Sequence, residues 1–263
     1  TDDELIVDQA TSGDRMTHTS RARQGLKRCR GPISLRPTWN SLLNAWGERI
    51  LGGKVANVFT PAAALPFFAY FAGTSAKQLQ FEGLKVASAE FTAESGQSML
   101  MTLDLVGKHF NPVSITIPSI AIGTTLNDLP LVFHQATMTI NSVDYCFSRF
   151  RCRIENGIRD LFYNSQEAKC LNEGPLNVSL ALDLPWNADT SSALFGHGAD
   201  GLPVNLSFVS NPAGIDVVSF DFPSVKWLDR SPEIPDQNEI SLPLECQCFA
   251  TTSPAITITT DSI

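Results

Sequence analysis

Within residues 131–185, three runs of side chains alternate strictly between apolar and polar, and that period of two excludes most ways of folding this stretch. In the first run Ala136, Met138 and Ile140 are separated by Thr137 and Thr139, and Asn141-Ser142 follows as a turn signal. In the second, Cys146, Phe150, Cys152 and Ile154 share one face and Arg149, Arg151 and Arg153 the other, ahead of the breaker Glu155-Asn156-Gly157. In the third, Val178, Leu180, Leu182 and Leu184 alternate with Asn177, Ser179, Ala181 and Asp183. Successive side chains on a strand point to opposite faces, so each run predicts a strand with one dry and one wet face. Such sheet is built to be covered on one side.

The same pattern flanks these runs. Ala87, Ala89 and Phe91 oppose Ser88, Glu90 and Thr92; after Glu94-Ser95-Gly96-Gln97, Met99, Met101, Leu103 and Leu105 oppose Leu100, Thr102, Asp104 and Val106. Two such runs around a short Gly-containing connection predict a hairpin. Further strands are expected at Ile33-Ser34-Leu35, Val204 to Phe208, Val217 to Phe222, Ile240 to Cys248, and around Ile256 and Ile258. One helix stands out. Pro37 and Thr38 suit its start, Trp39, Leu42, Leu43, Trp46 and Ile50 recur at helical spacing, and Gly52-Gly53 ends it. About ten short strands with one amphipathic helix predict a mainly-β sandwich or barrel-like fold with the helix packed outside.

Residues 1–20 are polar without a sustained period and read as an N-terminal arm; residues 21–263 read as a single β domain, with 251–263 as a terminal strand or arm. The segment 108–130 is broken by prolines, and so long an excursion is more often functional or intermolecular than idle. No apolar run reaches the roughly 18 residues of a membrane span, so no membrane insertion is expected. The acidic start Thr1-Asp2-Asp3-Glu4 does not resemble an export signal. The six cysteines are therefore expected to be reduced and buried as small hydrophobes.

Charge is placed unevenly. Residues 1–20 carry one Arg and five acids, a net of −4; residues 21–54 carry eight basic groups and one Glu, a net of +7; the remainder carries ten basic and twenty-one acidic groups, a net of −11. The basic stretch, with Arg21, Arg23, Lys27, Arg28 and Arg30, suits either a nucleic acid or the acidic body of a neighbouring copy. With the remaining charge so negative, the neighbour matches better.

Motifs for chemistry are weak. Gly196-His197-Gly198-Ala199-Asp200-Gly201 has the spacing of a dinucleotide loop, but Pro203 and a strand pattern follow where a helix is required. Cys246 and Cys248, with Cys146 and Cys152, contain four soft ligands, yet structural zinc sites space their pairs within turns, so a buried apolar face is expected. The four histidines are scattered, and no nucleophile elbow is present. The sequons at Asn177 and Asn205 fall inside expected strands. No enzyme, catalytic residue, cofactor or metal is expected.

The order of elements resembles the tail tube proteins of long-tailed, siphophage-type bacteriophages. The resemblance covers about residues 21–263 and rests on Gly31-Pro32-Ile33-Ser34-Leu35 leading into the helix, the hairpin ending in Leu105-Val106-Gly107-Lys108, and the strand Ala136-Thr137-Met138-Thr139-Ile140-Asn141. Leu161-Phe162-Tyr163-Asn164-Ser165 followed by Gly174, and the closing strand of residues 240–250, match as well. It implies a structural virion protein, assembled in the host cytoplasm, whose homo-hexameric rings stack into a non-contractile tail tube. An inner sheet from each copy would join an oligomeric β-barrel around the channel for double-stranded DNA ejection. Tape measure, tail terminator and distal tail proteins are the implied partners.

A conduit must not hold its passenger, because basic contacts to phosphate bind DNA. The wet face of the first hairpin, Ser88, Glu90, Thr92, Thr102 and Asp104, is therefore expected to line the lumen. Arg149, Arg151 and Arg153 are expected to avoid it and to meet acids on the outside or on a neighbour. The stretch from Arg21 to Arg30, the arm and the segment 108–130 are expected at subunit or ring contacts. The alternative is a ligand- or carbohydrate-binding β-sandwich of a virion accessory or adhesin, supported only by Trp186 and Trp227 in expected loops.

Overall fold

Each alternating run forms a strand, and all the pairings among the described residues are antiparallel. The computed structural model describes residues 2–7, 22–73, 78–111, 129–187, 190, 193–209, 216–228, 232–236 and 239–262. In chain order the strands are β1 (Asp2–Val7), β2 (Ala22–Leu35), β3 (Gly52–Val55), β4 (Val58–Pro61), β5 (Phe68–Gly73), β6 (Gln78–Glu94), β7 (Leu100–Gly107) and β8 (His109–Asn111). They continue as β9 (Ala136–Ile140), β10 (Val143–Asp144), β11 (Arg149–Glu155), β12 (Arg159–Leu161), β13 (Cys170–Asn172) and β14 (Asn177–Pro185). The last are β15 (Leu202–Val209), β16 (Asp216–Trp227), β17 (Glu233–Asp236), β18 (Glu239–Cys248) and β19 (Thr257–Ser262).

Two layers result. The first runs β2–β7–β6–β11–β14–β18. The second runs β10–β9–β15–β16–β19–β4–β3. The layers join at one corner, where the end of β16 leaves the second layer and Val225, Lys226 and Trp227 pair with Cys248, Gln247 and Cys246 of β18. Among the described residues the sheet does not close into a barrel: β3 pairs only with β4, and β10 only with β9.

The dry faces meet in a phenylalanine cluster. Phe91 and Phe150 of the first layer lie 5.2 and 5.7 Å from Phe220 of the second, and Phe150 lies 5.6 Å from Phe208. All four are fully buried, and burying such a side chain stabilises the fold by roughly 1.5–3 kcal/mol.

The helix α1 is less regular than its spacing implies. It consists of an α-helical turn (Trp39–Ser41), a π-helical segment (Leu42–Trp46) and a second α-helical turn (Gly47–Leu51). Thr38 and Ser41 cap its start reciprocally, at 3.1 and 2.8 Å, and Gly52, with φ of 91°, ends it. Leu42, Ile50 and Leu51 are buried in the core, Trp39 and Trp46 pack partly against it, and Leu43 falls in the π-helical segment. Gly47 lets the helix settle on Phe59, whose ring would lie 2.8 Å from any added Cβ.

Three expectations need correction. Residues 2–7, read without a period, form β1 and pair with β2, whose 14 residues greatly extend the short strand expected there. Strand β11 begins only at Arg149, leaving Cys146 exposed; Cys170 is exposed too, so four of the six cysteines are buried. Trp227 ends a strand and is buried, so it lies in no open loop, whereas Trp186 follows β14, partly buried and at right angles to the Phe195 ring.

Candidate functional site

The wet face of the first layer gathers both groups of side chains that were assigned to different surfaces. Register places Ser88 opposite Asp104 and Glu90 opposite Thr102 on the hairpin, and Glu90 opposite Arg153, Thr92 opposite Arg151, across to β11. One sheet face therefore carries the expected lumen residues and the arginines expected to avoid the lumen. They cannot be sent to opposite surfaces.

Hydrogen bonds knit this face together. Arg151 Nη2 donates to Glu90 Oε2 at 2.8 Å, and Arg153 Nη2 meets Glu155 Oε1 at 2.8 Å. Arg149 lies between Glu94, at 3.4 Å, and Asp183, at 3.9 Å. Ser88 Oγ donates to Asp104 Oδ2 at 3.0 Å, and the Ser34 and Thr102 hydroxyls are 3.1 Å apart. The hydrogen bond to Glu90, then its charge, pushes the Arg151 guanidinium above its ordinary value.

A strap of residues 158–174, containing β12 and β13, covers one end of the same face. Ala168 and Leu171 bury Val106 there, helped by Ala87, Ile158 and Phe162. Several members of the basic stretch hold this strap: Arg30 pairs with Asp160 at 2.5 Å, Arg28 lies 5.8 Å over the Phe162 ring, and the Lys27 amide donates to the Gln166 carbonyl at 2.7 Å. Arg23 sits in β2 opposite Ile6, and Arg21 lies outside the described residues, as do residues 112–128 of the segment 108–130.

Two buried polar anchors escaped the sequence reading. Lys85 is 4% exposed; its ammonium pairs with Glu173, and it sits 4.1 Å over the Phe67 ring. Burial works to raise the Glu173 carboxyl, but hydrogen bonds from Lys85 and from the Leu65 and Glu173 amides outweigh it and hold the group below its ordinary value. Asn156 is 6% exposed, and its Nδ2 donates at 3.0 Å to the carbonyls of both Ile50 and Val86, tying α1 to β6. The signal for Lys85 was there: a lone cation between Leu84 and Val86 in a strand needs a partner.

The second layer has a different wet face. Thr137, Ser207, Ser219 and Thr259 stand opposite one another across β9, β15, β16 and β19, and Thr139, Asn205, Asp221 and Thr257 form the adjacent row. Ser207 Oγ lies 3.3 Å from both Ser219 Oγ and Asn205 Oδ1, and the Asn205 amide donates to Asp221. A shallow groove here is lined by Thr139, Ser142, Asn205, Asp221, Ser253 and Thr257 among others.

The remaining motifs have structural uses. Gly198, inside the glycine pattern, lies against Trp227, whose carbonyl oxygen would be 2.3 Å from a Cβ. Burial pushes the Cys248 thiol up to about 12 and raises Cys246 and Cys152 well above the ordinary thiol range, so these sulfurs stay protonated on the dry face.

A family model described as phage tail tube protein matches residues 1–248. No curated protein matches the chain.

Proposed function

The chain belongs to the phage tail tube protein family, and from that premise we propose that its copies form hexameric rings that stack into the tube through which double-stranded DNA leaves the virion. The family makes it a structural component of the virion tail. The observation that carries the finer reading is the open ends of the second layer. Strands β3 and β10 each have one partner among the described residues, and an unpaired strand edge offers a row of backbone donors and acceptors to another chain. Val55 on β3 and Val143 on β10 are exposed, at 77% and 52%, as suits edges covered on assembly.

Joined edge to edge, the sheets of neighbouring copies would complete the barrel that the single chain does not close. The basic stretch from Arg21 to Arg30, the N-terminal segment and the segment 108–130 serve contacts between copies or rings in this reading. Tape measure, terminator and distal tail proteins bound the tube, assembly takes place in the host cytoplasm, and the tail is of the non-contractile, siphophage type. Negative-stain microscopy of the purified protein tests the proposal. Long hollow tubes or rings are expected; a monomer at every concentration would overturn it.

A further inference from the structure

The tube reading needs one wall to face the passing DNA, and the two wet faces differ in the property that matters. A duplex slides past a wall that offers its phosphates no cation, because each lysine or arginine that meets a phosphate releases counterions and adds to binding. On the second layer, β4, β9, β10, β15 and β19 contain no Lys, Arg or His. Lys54 on β3 faces the other way: it stands opposite Phe59 in register, with Nζ 5.4 Å over that ring. Lys226 on β16 lies past the corner, opposite Gln247 of the first layer. The polar side chains on this face are hydroxyl, amide and carboxylate, in two rows that run across the strands, with the uncharged Val58, Val209 and Val217 beside them.

The first layer does not meet this requirement. Arg149, Arg151 and Arg153 have side chains 52, 43 and 45% exposed. An ion pair this open to water contributes between about 0 and 1 kcal/mol, so a phosphate can exchange with the carboxylate and hold the DNA. The strap of residues 158–174 also crosses this face and breaks its surface.

Resting on the tube reading, we propose that the face of β9, β15, β16 and β19 is the DNA-facing wall of the channel. The arginine-bearing face of β6, β7 and β11 then points away from it. The row of Thr137, Ser207, Ser219 and Thr259, repeated around each ring, makes a wall of hydroxyls, and Asp144 and Asp221 add repulsion. This replaces the first hairpin as the lumen surface, on the ground that its acids share their face with three arginines.

A reconstruction of tubes assembled from the full chain tests the assignment. Ser207, Ser219 and Thr259 are expected on the channel wall. A map with Glu90 and Arg151 on the wall overturns the assignment and leaves the tube reading standing; failure to form tubes overturns the tube reading and the assignment with it. Virions carrying Ser219→Lys supply a functional readout. Their triggered DNA release is expected to slow about tenfold at low salt and to recover as salt rises, while Thr102→Lys on the other face leaves release unchanged. The opposite ranking of the two variants would overturn the proposal.

Discussion

Arg151 and Glu90 are joined diagonally across β11 and β6, guanidinium nitrogen to carboxylate oxygen at 2.8 Å, although register sets neither opposite the other. The contact means that the acids of the first hairpin and the arginines of the next strand share one surface. It is also partly open to water, so its worth is small. Glu90→Gln is expected to change unfolding free energy by less than about 1 kcal/mol, measured by urea denaturation of unassembled protein. A loss of several kcal/mol would show that the ladder holds the sheet together.

The open edges predict a separation of folding from assembly. Val55→Lys and Val143→Lys place a charge on β3 and β10 where the side chains already face water. Charged edge residues are a common means of blocking strand addition. Each variant is expected to keep its unfolding midpoint and to lose tubes in the microscope. Normal tubes from both would place the subunit contact elsewhere.

The core makes the largest stability prediction. Phe220 meets Phe91, Phe150 and Phe208 at 5.2, 5.7 and 6.0 Å, so it touches two rings of the facing layer and one of its own. Phe220→Ala removes a fully buried ring from a close-packed site and is expected to cost about 3–5 kcal/mol. The urea midpoint at unchanged slope reads this out.

These residues also mark what was legible in the sequence. Phe91, Phe150, Phe208 and Phe220 lie on alternating runs, and alternation alone set which side of each strand was dry. It could not say which wet faces lie side by side, because that depends on the order of strands in the sheet. Thus Glu90 and Arg151, 61 residues apart, were assigned to different surfaces when β6 and β11 are neighbours. Strand β1 was missed for a related reason: its pairing with β2 is a backbone relation, and residues 22–28 show no period to announce it. The hydroxyl row of the second layer was written in the sequence as Thr137, Ser207, Ser219 and Thr259, but only register aligns them.

Asn156 illustrates a turn residue with a second use. Read as part of a strand breaker, it is a buried clamp whose Nδ2 satisfies two carbonyls from distant segments. Asn156→Ala leaves the Ile50 and Val86 carbonyls without this donor, at an expected cost of about 1–3 kcal/mol. Asn156→Asp is expected to recover nothing, although its shape is the same, because a carboxylate cannot donate to them. Equal stability of Asn156→Asp and the unmodified protein at neutral pH would defeat this account.

The Lys85–Glu173 pair predicts how stability varies with acidity. The folded carboxyl of Glu173 is held below its ordinary value, so the folded state binds its proton less readily than the unfolded chain does. Its contribution is therefore fully present above the unfolded value, about 4.3, and is lost as pH falls through the lower folded value. At neutral pH, Glu173→Gln leaves the buried ammonium of Lys85 without its counter-charge, at an expected cost on the order of 2 kcal/mol. Below about pH 4 the difference between the two proteins should shrink, since the wild-type carboxyl protonates while the amide that replaces it does not titrate. Replacing both partners, Lys85→Met with Glu173→Gln, removes the buried charge itself and is expected to recover part of the loss. Urea denaturation of the three proteins between about pH 3 and pH 7 measures all of this, and a difference between wild type and Glu173→Gln that stays constant across that range would rule out the pair as the cause.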